Sequence, residues 1–382
     1  MFQLDEEQRL ILQSVREIVQ KEITPRAAGL DQTGDFPFEA VRIFAKNDFL
    51  NPLLPRAYGG VELSAFIFCM IVEEIAKVSA SVSLLIIAQA EGTLPLLYGA
   101  DEPLKEKYLR RLAGGSEILT GLGAIEPSAG SGIFSLPTNA ERQGNEYHLG
   151  AERCFVMNGS VADFLVLYAC TDRSKGNRGI SAFVAEKGFP GFVFKRNEDK
   201  MGTRGTIYSE MHLENLRVPQ ENLIGQEGEG FANMLKTLSA SRLFTAAQAV
   251  GLSQGALEEG LSYARKRVQF GQTISHHVPI QFMLAEMATG IESARLLTYE
   301  TAFLLDQERW EKVGTYAAMA KLVASDAAMK VTTDAVQMMG GYGYMRDYPV
   351  ERMMRDAKAT QVHSGTNQIM KLIIGRDLAG IS

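Results

Sequence analysis

The 382-residue sequence predicts an α+β chain, with helices and strands segregated along its length rather than alternated. Three observations carry this reading. Apolar residues recur at helical spacing through the first third. From Ile118 the texture changes, for about a hundred residues, to short β-branched and aromatic stretches separated by Gly, Asn, Asp and Pro. From Gly228 onward long helical patterns return. The segments fall at 1–117, 118–227 and 228–382, with no internal repeat or low-complexity tract.

The first helix is read from Leu4, Ile11, Val15, Ile18 and Val19, whose spacings lie near 3.6, and Pro25 ends the run. A second helical region covers roughly Ala65 to Ala90, and LKEKYLRRLAGG closes the segment with basic residues and glycines. Glu91 follows directly, in LLIIAQAEGTLPLL, the most apolar neighbourhood of the chain. A carboxylate there must be solvated, paired or functional, because burying it alone is costly. On residue pattern alone, Gly92 ends the helix and Glu91 points into water. FLVLYAC, ISAFVAE and FVFKRN read as strands, and GLGAIEPSAGSG (Gly121 to Gly132) reads as a tight glycine-rich loop at the mouth of the β region. It is not a dinucleotide fingerprint, since no GxxG completes it and no βαβ unit surrounds it. In the last segment, YARKRVQFG places Arg265, Lys266 and Arg267 near a helix end, and QMMGGYGYMRDYPVERMMRDA combines a glycine break with a charged helix start.

Composition narrows the function. A net charge of −6 without a run of lysines or arginines argues against a general phosphate-backbone binder. The longest apolar stretches, such as Val82 to Ala88 broken only by Ser83, fall far short of the ~20 residues of a membrane helix. Cys69, Cys154 and Cys170 are widely spaced and form no metal-binding pattern, so free thiols in a reducing compartment are expected. The N-terminal sequence has no signal or transit character, and a cytoplasmic location is expected.

EPSAGS, the β segment, YARKRVQFG, LAEMATGIESARLLTYETA, GGYGYMRDYPVERMMRDAK and SGTNQIMKLIIGRDL, in this order and spacing, resemble the acyl-CoA dehydrogenase family over essentially the whole chain. The resemblance implies an N-terminal helical domain, a central β-barrel-like domain and a C-terminal four-helix bundle. It further implies bound FAD, a CoA-thioester substrate, an electron-transferring flavoprotein as acceptor and a homotetramer built as a dimer of dimers. By the same resemblance, Ser131 lies near the flavin and the CoA pantetheine, and Met157 lies on the strand that meets the flavin. Arg267 and Phe270 reach the FAD of a neighbouring subunit, and Gln337 and Gly341 receive the adenosine-pyrophosphate part of FAD across the same interface. Thr366 and Gln368 lie beside the FAD, and Arg242 lies near the thioester and the CoA arm.

The sequence departs from the family where the chemistry is expected. The usual glutamate of a Tyr-Glu-Gly-Thr motif is matched by Ser364, within His363, Ser364, Gly365 and Thr366. The alternative base position, before Arg242, holds Ser241. A neutral serine cannot take a carbon-bound proton at neutral pH. The strand residues often written Trp-Ile-Thr are Phe155, Val156 and Met157, and Ile125 replaces a threonine before the Glu-Pro pair. In the family the segment around Glu91 lines the acyl pocket, which makes Glu91 the candidate base, Ser364 a small substrate-contacting residue, and His363 the rival base. A displaced base suits a substrate already unsaturated beside the thioester. The reading is 1,4-elimination of cyclohex-1-ene-1-carboxyl-CoA to the 1,5-diene, with hydride to flavin N5. The alternatives are α,β-dehydrogenation of cyclohexanecarboxyl-CoA or another acyl-CoA, a desulfinase-type lyase (Gly132 stands where the family usually has aspartate), and a catalytically inactive flavin-binding protein.

Overall fold

The computed structural model describes residues 4–127, 129–132, 136 and 138–381, without the side chains of Arg153 and Cys154. Ser128 of the glycine-rich loop and the Cys154 thiol therefore lie outside the described residues, whereas Cys69 and Cys170 are buried free thiols.

Six helices form the first segment: α1 (Glu6–Ile18), α2 (Ala27–Thr33), α3 (Phe38–Lys46), α4 (Ala65–Ala76), α5 (Ala80–Gly99) and α6 (Glu102–Leu109). Asp5 starts α1 through a reciprocal capping pair with Gln8, and the helix passes through a π-helical turn at Val19–Ile23 before Pro25. The region expected as one helix from Ala65 is two. Ser79 accepts from the Val82 N–H (3.3 Å), satisfying an orphan donor of a new helix start. By length and composition α5 could cross a membrane, yet 94% of its most apolar window is buried inside the fold.

The middle segment is one eight-stranded sheet made of β1 (Thr120–Gly123), β2 (Asn139–Gln143), β3 (Glu146–Met157), β4 (Phe164–Cys170), β5 (Ile180–Glu186), β6 (Phe192–Asn197), β7 (Tyr208–Pro219) and β8 (Leu223–Ile224). The order is β6-β7-β3-β2-β4-β5-β8, and β1 lies parallel to β4. The three stretches read as strands from sequence are β4, β5 and β6. Every residue of β4 is buried, because its two faces serve two cores: Phe164, Val166 and Tyr168 face the N-terminal helices, and Leu165, Leu167 and Ala169 face the rest of the sheet. The barrel-like expectation is corrected in one respect. Among the described residues no pairing joins β6 to β8, so the sheet remains open.

The last segment holds α7 (Gly230–Ala264), a hairpin of β9 (Val268–Gln269) and β10 (Gln272–Thr273), α8 (Val278–Asp306), α9 (Trp310–Met339), α10 (Val350–Thr360) and α11 (Asn367–Ala379). Alanines 246, 249, 320, 324 and 328, all fully buried, allow α7 and α9 to approach closely. The fourth member of the bundle is divided into α10 and α11. Ser364 (φ 55°) and Gly365 (φ 98°) take left-handed backbone between them, and the resulting turn carries His363, Ser364 and Thr366 to the interior.

Candidate active site

Glu91 lies on α5, where every residue from Ala80 to Leu96 is buried. The expectation that Gly92 ends the helix and leaves Glu91 in water is overturned. A Cβ at Gly92 would stand 2.4 Å from Thr120 Oγ1 and 2.6 Å from Gly121 N, so glycine is what lets α5 lie against β1. The helix runs on to Gly99, and Glu91 is 4% exposed. Pro95, four residues on, has no N–H to give the Glu91 carbonyl.

The carboxylate meets α7. Ser241 Oγ donates to Glu91 Oε1 and lies 2.6 Å from Ser364 Oγ. Thr245, one turn further along α7, places Oγ1 3.1 Å from Ser364 Oγ, 3.0 Å from His363 Nε2 and 2.9 Å from the Ser241 carbonyl, to which it donates. Arg242, on the next position of α7, is buried and donates from Nε to the Ser364 carbonyl (3.3 Å). Beneath the turn, the fully buried Lys321 donates to the Gly365 carbonyl (2.8 Å) and to Asn367 Oδ1 (2.7 Å).

Burial sets the protonation of these groups. Desolvation pushes Glu91 up to about 7, and the Ser241 hydrogen bond acts against it by favouring the charged form. Desolvation lowers His363 to about 3, with further repulsion from Lys321, so its imidazole is neutral. Lys321 is itself lowered to about 7, chiefly by burial, and Arg242 to about 10 by the same cause. Among the described residues no carboxylate stands within ion-pair distance of Arg242.

Glu91, Ser241, Arg242, His363 and Ser364 border a cavity of about 890 Å³ between the sheet and the bundle. Glu91, Ser131, Met157, Arg242, Ser364 and Thr366, all singled out from sequence, line it together with His363, Ile125 and Phe155. Gln368 does not; it is exposed on the first turn of α11, which Thr366 caps by accepting from the Ile369 N–H. Arg267, Phe270, Gln337 and Gly341 do not line it either. Arg267 lies over the Tyr342 ring (5.4 Å), and Phe270, at 95% exposure, stands out from the β9–β10 hairpin. The lining fits a flavin ring. Leu122, Phe155, Met157 and Ile369 offer apolar faces, Ser131 and Thr366 add a few polar contacts, and buried His363 Nδ1 has no partner among the described residues.

The chain matches three family profiles in succession: acyl-CoA dehydrogenase N-terminal domain over residues 5–116, middle domain over 121–216 and C-terminal domain over 228–379. The chain belongs to the acyl-CoA dehydrogenase family. Its members are oxidoreductases acting on CH–CH bonds, and this acyl-CoA dehydrogenase is such an enzyme. It is 54% identical over 378 residues to cyclohex-1-ene-1-carbonyl-CoA dehydrogenase of Geobacter metallireducens, covering 99% of each chain. It is 49% identical over 380 residues to the protein of the same name from Syntrophus aciditrophicus, covering 99% of this chain and 91% of the other. The structure of butyryl-CoA dehydrogenase from Megasphaera elsdenii superposes with a TM-score of 0.96 at 36% identity, covering 99% of this chain and 100% of that one.

Two residues of this acyl-CoA dehydrogenase site were missed in the sequence. Thr245 sits four residues after Ser241, which places both on one face of α7. Lys321 interrupts the alanine-rich run AAMAKLVAS, and a lone charge in an apolar helix is the same signal that singled out Glu91.

Proposed function

We propose that the chain binds FAD and a CoA thioester of an alicyclic acid, and that it carries out the 1,4-elimination of cyclohex-1-ene-1-carbonyl-CoA to the 1,5-diene. The observation that carries this reading is a buried carboxylate, Glu91, held by Ser241 with Ser364 next to it, serines at both places where the family resemblance puts the usual base. Two relatives at 54% and 49% identity bear the name of that activity.

The chemistry follows from the substrate. Its α carbon, C1, is doubly bonded to C2 and carries no hydrogen, so a base beside C1 has nothing to remove. The C3 hydrogen is acidic because the charge left behind is conjugated through C2 and C1 to the thioester carbonyl. Glu91 takes that proton, the double bond moves to C2–C3, and a hydride leaves C6 as C1–C6 becomes double. FAD, when bound, supplies the hydride acceptor. Arg242, which has no carboxylate partner among the described residues, brings positive charge to the same cavity, which favours the negative charge that spreads over the acyl group as the proton departs. His363 suits the base role less well, since a group lowered to about 3 has little affinity for a proton at neutral pH.

The test is anaerobic mixing of the FAD-loaded protein with straight-chain, branched and alicyclic CoA thioesters while flavin absorbance is followed. Bleaching by the cyclohex-1-ene thioester, with a diene product two mass units lighter, is expected. Equal or faster bleaching by cyclohexanecarbonyl-CoA overturns the reading. So does sulfite release, or the absence of bleaching by any thioester.

A base with a carboxyl near 7 also fixes the pH dependence. Protonated Glu91 cannot accept, so flavin reduction is expected to rise with pH through about 7 and level off above it. Ser241→Ala removes the hydrogen bond that favours the carboxylate, and stopped-flow pH profiles are expected to show the midpoint moving upward.

We assign the cofactor's adenosine end to a neighbouring subunit of a homotetramer, as the family resemblance implies for Arg267, Phe270, Gln337 and Gly341; their position outside the cavity of their own chain supports this reading. Arg267→Ala is expected to lose a charge-assisted contact of ~1.5–3 kcal/mol, weakening FAD retention roughly 10–150-fold. Flavin occupancy after dilution checks this, and full retention counts against the assignment. Reoxidation by an electron-transferring flavoprotein, in the cytoplasm, completes the proposal.

A further inference from the structure

We propose that Lys321 is a positioning residue for Glu91: it locks the 361–366 turn where Ser364 meets Ser241, and so holds the hydroxyl that orients the carboxylate. The proposal rests on the reading of Glu91 as the base.

The turn is held in place from outside. Ser364 and Gly365 both take left-handed backbone, at φ 55° and 98°, and a serine stays there only where its surroundings over-determine it. The Gln361 carbonyl accepts from the Asn367 N–H (3.1 Å), which closes the base of the turn. Helix α9 supplies the rest. Asp326 Oδ1 accepts from Gln361 Nε2 (2.6 Å) and Asn367 Nδ2 (2.7 Å), tying both feet of the turn to one carboxylate. Asp326 is exposed, so water competes for those bonds. Lys321, earlier on α9, is fully buried and donates from Nζ to the Gly365 carbonyl (2.8 Å) and to Asn367 Oδ1 (2.7 Å). Sheltered from water, these bonds are the stronger hold.

Packing gives Lys321 no reason to carry an amine. Among the described residues no carboxylate lies within ion-pair distance of it, and both of its polar contacts hold the turn or the residue that ends it. An apolar side chain of similar length would fill the same space on alanine-rich α9 without desolvating a polar group. The two acceptors match the two N–H groups that an amine keeps even when neutral. The clamp therefore holds on both sides of about 7, the value to which burial lowers Lys321.

The hold reaches the base through two hydroxyls. Ser364 Oγ lies 2.6 Å from Ser241 Oγ, and Ser241 donates to Glu91 Oε1. While Glu91 is ionised the single Ser241 proton is spent on the carboxylate, so Ser364 is the donor between the serines. A serine inside a helix otherwise turns back to the carbonyl four residues earlier, here that of Thr237. Ser364 keeps the Ser241 hydroxyl facing Glu91, and Lys321 keeps Ser364 in place. Burial and the Ser241 hydrogen bond set the ionisation of Glu91, so Lys321 acts through the turn rather than through its charge. Without the clamp the carboxylate loses its one fixed orientation toward the bound ring.

The test is a double-mutant cycle on the full-length, FAD-loaded enzyme, read by anaerobic stopped-flow flavin reduction with cyclohex-1-ene-1-carbonyl-CoA. Lys321→Met removes both bonds at nearly constant volume. It is expected to slow reduction at saturating substrate roughly 10-fold, with the half-saturating concentration changed by less than about 3-fold. Ser364→Ala removes the positioned hydroxyl alone and is expected to cost about as much. The double variant is expected to be no slower than the slower single variant, because the clamp has no hydroxyl left to hold. A merely structural loss multiplies with that of Ser364→Ala, to roughly 100-fold, and that outcome overturns the proposal. Normal reduction in Lys321→Met overturns it too. Lys321→Gln, whose amide keeps two N–H groups one bond nearer the helix, runs the same cycle should Lys321→Met lose FAD, with the same outcomes for and against. If Glu91→Gln slows reduction while the cycle is multiplicative, the base assignment stands and the positioning role falls. Near-normal reduction in Glu91→Gln overturns both.

Discussion

Glu91→Gln is expected to slow flavin reduction by cyclohex-1-ene-1-carbonyl-CoA by roughly 10²–10⁴, the usual loss for a removed general base. The amide keeps the shape of the side chain and can still accept from Ser241, so the packing of α5 against β1 and the cavity are retained. Flavin content and binding of the thioester are therefore expected to survive, and only the rate of bleaching falls. Stopped-flow reduction at saturating substrate measures this directly. If Glu91→Gln reduces normally while His363→Ala abolishes reduction, the base is His363.

The second large effect is a change of reaction rather than a loss. Ser364→Glu puts a carboxylate at the position of the family's usual base, where the serine already holds left-handed backbone at φ 55°. The longer side chain must displace the hydroxyl contacts at 2.6 and 3.1 Å to Ser241 and Thr245. It also sets a second acid beside Glu91, and two buried carboxyls so close cannot both ionise, which raises the pKa of one of them. Dehydrogenation of a saturated thioester such as cyclohexanecarbonyl-CoA is expected to appear, and the 1,4-elimination to fall by about 10²-fold as Glu91 loses its orientation and its charge. Product analysis by mass spectrometry and ultraviolet absorbance separates the two reactions. A variant that binds FAD and substrate yet gains no activity on the saturated ring counts against Ser364 as the space left by a missing base.

Some of this was written plainly in the chain. The strands Phe164–Cys170, Ile180–Glu186 and Phe192–Asn197 were legible because β-branched and aromatic residues lie between turn formers, and each strand ends where those formers begin. The break between α4 and α5 was not, because apolar residues run across it and only the Ser79 cap marks the new start. Glycine misled at Gly92, where it serves the approach of α5 to β1 rather than a helix end. At the site, Glu91 and Lys321 carried the same signal of a lone charge among apolar neighbours, yet only Glu91 had a missing function to explain. Thr245 was hidden because a threonine inside a helix most often bonds back to its own carbonyls. Thr245 does so too, and only the arrival of the 361–366 turn gives its hydroxyl a further use.

The carboxylate's place on α5 has a thermodynamic consequence. A base carried on the 361–366 turn could shift toward water when the site is empty. Glu91 belongs to a helix whose neighbours are all interior residues, so its charge must be accommodated by the folded core. A carboxyl that titrates at its ordinary 4.5 when the chain is unfolded and at about 7 when folded binds more protons in the folded state between those values. Stability therefore declines as pH rises through that window, by ~3 kcal/mol in all, and is lowest where the base is fully ionised and most active. The resting enzyme is thus least stable in the protonation state that its chemistry requires, and a bound substrate that accepts Glu91 as its partner lifts that strain during each turnover.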